Sequence, residues 1–313
     1  MFRKLATAVA ATATAMLLAV SAGAAHADNY AGAGSDTTQD VMKTLTNQYK
    51  LTHPANTWTS VNAGATSGSI PAAGTCPGVT WTTANPAPNG SSAGISALLN
   101  DTNGCIDYAR SSRALKTNPG SPELALTAVR LGGDSVTWSA ASGGSAPADL
   151  SLTQLRDIYK CNITNWSTVS GANAAIVRYV PQAGSGTRDF FFNTVLGFDP
   201  TVLSNGNCTT APKVIQENKG DQVAAADKNS AIFPYSKAAW TAQANSSVTL
   251  VTDDRGGFVL DTIGGAAAGS AGFIGNRDVY NVYKTASAPQ DLIDFLNWAA
   301  TQNTVKATYG FTA

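Results

Sequence analysis

Gly184-Ser185-Gly186-Thr187 alternates two glycines with two hydroxyl side chains, and Arg188 follows directly. Glycine lets the backbone approach a bound group closely, hydroxyls donate hydrogen bonds, and the free N–H groups of a helix start favour negative charge. The pattern suits an anion-binding turn, and it equally suits a helix start that Ser185 and Thr187 merely cap. Before it, Ala174-Ala175-Ile176-Val177-Arg178-Tyr179-Val180 is short, β-branched and strand-like; after it, Phe191, Phe192, Val195 and Leu196 share a helical face that stops at Gly197.

Three further junctions repeat this chemistry. Gly34-Ser35-Asp36-Thr37-Thr38 follows a strand-like run and precedes a helix whose apolar residues are Val41, Met42, Leu45 and Tyr49. Gly90-Ser91-Ser92-Ala93-Gly94 opens a helix with Ile95, Leu98 and Leu99 toward a core, and Arg110-Ser111-Ser112-Arg113 follows the short strand Cys105-Ile106-Asp107-Tyr108-Ala109. Four polar loops, each after a strand, suit an α/β architecture with its ligand off the carboxyl ends of the strands. Gly90-Ser91-Ser92-Ala93-Gly94 also fits the Gly-x-Ser-x-Gly pattern of a nucleophilic serine, but the one histidine beyond the leader, His53, precedes Ser92, whereas α/β-hydrolases run serine, acid, histidine.

Other elements must hold these loops in place. Residues 124–136 read as a strand, and Leu150 to Trp166 as a helix capped by Ser151 or Thr153 and ending in a compact turn. Residues 221–228 are a helix candidate, Ala231-Ile232-Phe233-Pro234-Tyr235 an apolar strand, and residues 289–304 a strongly amphipathic last helix carrying Leu292, Ile293, Phe295, Leu296 and Trp298. The segment from residue 62 to 89 is dense in Gly, Pro, Ser and Thr and reads as an elaborated loop.

Residues 1–27 begin with Arg3 and Lys4, continue through an Ala- and Leu-rich apolar run and end in Ala25-His26-Ala27, the plan of a cleaved secretory signal peptide without a lipid-anchor cysteine. The expected mature protein is secreted and extracellular. Formal net charge is zero and only 13% of residues are charged, which disfavours nucleic acid and anionic membranes as partners. Four cysteines, Cys76, Cys105, Cys161 and Cys208, in an oxidising compartment predict two disulfides; their wide spacing and the single remaining histidine disfavour a metal site. No cofactor is expected.

The order of these pieces resembles the phosphate-binding proteins that serve phosphate ABC transporters. The likeness rests on five landmarks: Gly32-Ala33-Gly34-Ser35-Asp36-Thr37, Gly90-Ser91-Ser92-Ala93-Gly94-Ile95, the strand and loop from Ile106 to Arg113, the helix from Leu152 to Trp166, and Gly184-Ser185-Gly186-Thr187. It implies a monomeric, non-enzymatic, two-lobed α/β fold of the periplasmic-binding-protein type with the ligand in the cleft between lobes, and an ABC transporter permease as partner. The lobes would be residues 28–127 with 236–313, and residues 128–235; each lobe would then hold one disulfide, Cys76–Cys105 and Cys161–Cys208. The ligand would be inorganic phosphate or a similar oxyanion, held by Thr37, Ser91, Ser112, Ser185, Gly186 and Thr187. The family's arginine four residues before the Ser-Gly-Thr serine is Pro181 here, so Arg188, Arg110 and Arg113 become candidates for the missing guanidinium. Its aspartate is replaced by Ser112, which leaves Asp36 either to accept a proton from the ligand or to cap the first helix.

Overall fold

The structure is a computed structural model that describes residues 28–248 and 250–313, so the signal-peptide expectation lies outside the described residues. The chain runs β1 (Asn29–Gly34), α1 (Gln39–Thr52), β2 (Thr57–Ser60), β3 (Ser69–Ile70), β4 (Val79–Thr80), α2 (Ser91–Asn100) and β5 (Tyr108–Ser111). It continues through β6 (Leu126–Ala141), β7 (Asp149–Leu150), α3 (Leu152–Tyr159), β8 (Val177–Pro181), α4 (Gly186–Phe190) and β9 (Lys213–Ile215). The last part holds β10 (Ala231–Ser236), α5 (Lys237–Ala244), β11 (Phe258–Leu260), β12 (Thr262–Ile263), β13 (Asn276–Lys284), α6 (Gln290–Thr301) and α7 (Asn303–Thr308).

The strands order as β2-β1-β5-β13-β6-β10-β8-β9, with β11 also on β6. Strand β6 organises this sheet. At about 3.3 Å per residue its 16 residues span roughly 50 Å, long enough to serve two cores in turn. Leu126 to Ser135 pair antiparallel with β13, and Val136 to Ser139 pair antiparallel with β10. On one side of that change of partner, β1 pairs in parallel with β2 and β5; on the other, β8 pairs in parallel with β10 and β9. The strand is longer than the expected 124–136 because residues 131–141 are buried without alternation, which leaves no two-residue period to mark its end.

Apolar burial follows the same division. Val41, Met42 and Leu45 of α1 pack with Leu131, Phe295 and Leu296, and Ile95 and Leu98 of α2 pack on Ala31, Ala109 and Val282. Past the crossing, Trp138 packs with Leu155, Ile158, Trp166 and Phe191, and Tyr179 with Phe233 and Tyr235. Phe258, Ile263 and Phe273 also lie in these second-lobe clusters, through the pairing of β11 with β6 and of β12 with β7. The division expected from the sequence gave all of 236–313 to the first lobe, whereas these three residues pack with the clusters past the crossing. The helix expected over 221–228 is instead a set of turns flanked by short 3-10 segments, in which Val223 alone is buried. Both disulfides pair as expected, Cys76 with Cys105 and Cys161 with Cys208.

Candidate anion site

The four hydroxyl-rich loops meet at one place between the two cores. Each stands at a strand end: residues 35–38 after β1, 90–92 beside it through an isolated bridge of Gly34 with Asn89, 112–113 after β5, and 182–187 after β8. Ser185 is the N-cap of α4, its Oγ accepting from Arg188 N at 3.0 Å, and α4 runs on into a π-helical turn that ends at Gly197 in the left-handed conformation. The cap reading of Ser185 is therefore correct as far as it goes. Ser185 Oγ also donates to the Glu217 carboxylate, and Glu217 Oε1 accepts from Asp36 N at 3.2 Å.

Thr37 Oγ1 and Thr187 Oγ1 lie 3.3 Å apart, joining the first loop to the fourth. Ser91 Oγ accepts from Ser112 N at 2.9 Å and lies 3.2 Å from Ser112 Oγ. Gly186 closes on this pair so tightly that a Cβ there would meet Ser91 Oγ at 2.2 Å and Ser112 Oγ at 2.4 Å, so only glycine fits this approach. Ser92 N donates to Gly184 O across the same gap. Thr37, Ser91, Ser112, Ser185, Gly186 and Thr187 are thus gathered in one buried cluster with the lobes drawn together. Ser35 Oγ and Thr38 Oγ1 in the first loop are buried hydroxyls without a partner among the described residues.

Of the arginines flagged in the sequence, Arg110 and Arg113 have every guanidinium nitrogen bonded to a protein group. Arg110 is fully buried but donates to the carbonyls of Ser35, Gly32 and Val61 and to Ser60 Oγ. Arg113 pairs with Glu123 and donates to Ser92 Oγ and Ala114 O. Arg188 Nη1 donates to Pro181 O, its guanidinium lies 4.9 Å over the Phe192 ring, and it lines a separate cavity of about 220 Å³ with Ser92, Gly184 and Ser185.

Three residues that carried no sequence signal stand at the cluster instead. Arg277, at the head of β13, lies directly opposite Asp134 of β6; its Nε and Nη2 donate to Asp134 Oδ2 at 3.1 and 2.8 Å, and Nη2 donates to Thr187 Oγ1 at 2.9 Å. Glu217 is fully buried, and Asn218, at φ 59°, sends Nδ2 to Asp36 Oδ1 at 3.0 Å and to Thr37 Oγ1 at 3.3 Å. Burial, with the facing Glu217 carboxylate adding to it, pushes Asp36 up to about 7 against the pull of the Asn218 amide. Asp36 does not cap α1, whose N-cap Thr38 makes no side-chain cap bond. The Arg277–Asp134 pair also lines a cavity of about 470 Å³ with Arg130, Lys237 and Asp278, three cations to two carboxylates.

A family profile described as "PBP superfamily domain" matches residues 19–293, nearly the full chain. The chain belongs to the PBP superfamily. Solved structures agree on the fold. A phosphate ABC transporter substrate-binding protein with bound phosphate from Clostridium perfringens superposes with a TM-score of 0.67 at 20% identity, over 91% of this chain and 98% of that one. An ABC-type phosphate transport receptor from Vibrio cholerae gives 0.58 at 18% identity over 91% and 99%, and PstS from Borrelia burgdorferi gives 0.52 at 15% identity over 92% and 98%. A search of curated proteins finds no match. The hydroxyl cluster lies where loops from both cores meet. Nothing in the geometry assembles the hydrolase alternative: Ser92 Oγ accepts from Arg113 Nε, while the His53 ring stacks on Tyr49 and bonds to Thr52.

Proposed function

We propose that this protein is a solute-binding protein that captures inorganic phosphate, or an oxyanion of like shape, between its two lobes. The observation that carries the reading is the convergence of Thr37, Ser91, Ser112 and Thr187 hydroxyls with the Gly186 backbone, drawn from four loops on two cores. Such a set offers hydroxyl and N–H donors in many directions around a dehydrated tetrahedral anion. The Clostridium perfringens protein of the same fold carries phosphate, which supports the ligand class. The cluster is closed over direct contacts between lobes, so a ligand enters by lobe opening, and binding draws the lobes together again.

Secretion follows from the leader, and two disulfides suit an oxidising compartment. Among the described residues, no helix is long and apolar enough to cross a membrane. An ABC transporter permease would receive the ligand, and the protein itself performs no covalent chemistry. Calorimetric titration of ligand-stripped protein with phosphate, sulfate and citrate tests the reading. Tight phosphate binding is expected; tighter citrate than phosphate would reassign the ligand class, and binding of none of the three would end the proposal.

A further inference from the structure

We infer that Arg277 is the cation of the anion site, supplying from β13 the guanidinium that Pro181 cannot supply from β8. This inference rests on the oxyanion-binding reading above. A multiply charged oxyanion removed from water needs charge-assisted donors to offset its lost hydration. Every guanidinium nitrogen of Arg110 and Arg113 is already bonded to a protein group, and Arg188 is tied to Pro181 O and lies over the Phe192 ring.

Arg277 differs in one atom. Its side chain is only 2% exposed, yet Nη1 is buried without a hydrogen-bond partner among the described residues. An unpaired N–H in a buried cation is costly, and native proteins keep few of them without a use. Nη2, the neighbouring nitrogen of the same planar group, already reaches Thr187 Oγ1 at 2.9 Å and stands 3.5 Å from Thr37 Oγ1. An oxygen bonded to Nη1 therefore lies within a few ångströms of hydroxyls from both lobes.

The guanidinium is also fixed in place before any ligand arrives. Asp134 holds Nε and Nη2, and is itself held by Ser236 Oγ at 2.8 Å and by Ala238 N at 2.9 Å at the start of α5. Strands β6 and β13 and helix α5 thus share one carboxylate, and the fork cannot swing away from the cleft. Asp134 takes two of the three guanidinium nitrogens and leaves the third to the ligand.

The test uses the mature chain and inorganic phosphate, read by calorimetry, with thermal unfolding recorded on the same samples. Arg277→Lys keeps a cation opposite Asp134 but removes the fork, and phosphate should bind about tenfold more weakly. Arg277→Met with Asp134→Asn removes both charges, so no orphaned carboxylate confounds the result, and binding should fall about a hundredfold. Arg178→Lys, at a guanidinium that bonds Tyr159 O and Thr210 O away from the cluster, should lower the melting temperature while leaving phosphate affinity unchanged. If the folded Arg277 variants bind phosphate like wild type, the assignment of Arg277 is overturned while the oxyanion reading stands. If wild type binds none of phosphate, sulfate and citrate, both fall together.

Discussion

Arg113 and Arg277 each face a buried carboxylate, with side-chain exposures of 5% and 8% for the Arg113–Glu123 pair and 2% and 0% for Arg277–Asp134. Burial is therefore not what separates them. Arg113 uses every nitrogen: Nε on Ser92 Oγ, Nη1 on Ala114 O and Glu123 Oε2, Nη2 on Glu123 Oε1. Arg277 leaves Nη1 without a partner among the described residues, beside Thr187. A guanidinium whose three nitrogens are all engaged locks a loop, whereas one with a nitrogen in reserve can receive a ligand. The same contrast separates the carboxylates. Burial acts to raise Glu123, yet hydrogen bonds from Arg113 and Lys116 N outweigh it and hold the group below its ordinary range, while Asp36 is pushed up to about 7.

Breaking the satisfied pair should give the largest effect on the fold. Arg113→Met strands a buried carboxylate and is expected to cost about 3 to 5 kcal/mol of stability in urea unfolding. Phosphate affinity of the variant that remains folded should stay within about twofold of wild type. A loss of affinity larger than the loss of stability would erase the distinction between the two pairs.

On the ligand side, Thr187→Val keeps the shape of the side chain and removes the hydroxyl that bonds Arg277 Nη2. The expected cost is about 1.5 to 3 kcal/mol of phosphate affinity, or roughly ten- to a hundredfold. Ser185→Ala should act differently, losing about 1 kcal/mol of stability as a missing cap, because its hydroxyl is already given to Glu217. Equal affinity losses at the two positions would show that Ser185 is a ligand contact after all.

Asp36 and Glu123 should leave opposite marks on the pH dependence of stability. Asp36 rises from 3.8 to about 7 on folding, so between these values the folded protein keeps a proton that the unfolded chain has lost. Its contribution therefore falls as pH rises from about 4 to about 7, and then levels off. Glu123 is held low, so its contribution is present above the ordinary glutamate value and is lost as the medium becomes acidic. Asp107 and Asp261, also raised to about 7 by burial, act like Asp36, so the measurement is the difference between wild type and Asp36→Asn across that range. Asp36→Asn should flatten the descent in part, and an unchanged slope would mean that Asp36 is ionised in the folded protein. Titrating the same variant with phosphate and sulfate asks whether Asp36 receives the ligand's proton; a gain for sulfate relative to phosphate is the expected sign.

The four loops were legible because each combines a local signal, glycine and hydroxyl residues, with an apolar period that places a strand before it or a helix after it. That information lies within about ten residues, as in Gly184 to Gly197. Arg277 had no such signal. Its role depends on registry with Asp134, 143 positions away, and on Thr187, 90 positions away, and an arginine next to Asp278 at a strand start reads as ordinary surface charge. Glu217 and Asn218 were hidden for the same reason, in a polar stretch whose partners Asp36 and Ser185 belong to other elements. Residues 221–228 misled in the other direction. Gly220 is packed so that a Cβ there would meet Arg255 O at 2.3 Å, a tertiary contact that fixes turns where the local pattern suggested a helix.

The smallest expected effect tests the rim of the cleft. Asn89, just before α2, and Gln216, just after β9, exchange side-chain amide bonds at 2.8 and 2.9 Å, and Gln182 Nε2 adds a third bond to Asn89 Oδ1 at 3.1 Å. These neutral bonds are partly exposed and touch no group of the hydroxyl cluster directly, so their worth is in favouring the closed arrangement of the lobes. Asn89→Ala removes all three and should destabilise that arrangement by about 1 kcal/mol, the net value of ordinary hydrogen bonds exchanged for water. If the protein opens to admit ligand and closes to hold it, this energy is part of the binding free energy, and phosphate affinity should fall about fivefold, mostly through faster release. Stopped-flow measurement of phosphate release from wild type and Asn89→Ala, beside calorimetric affinities, separates the cases. Faster release with unchanged association supports a rim latch, whereas unchanged release would mean that the lobes stay closed by the buried contacts alone and that the amide trio bonds no better than water would.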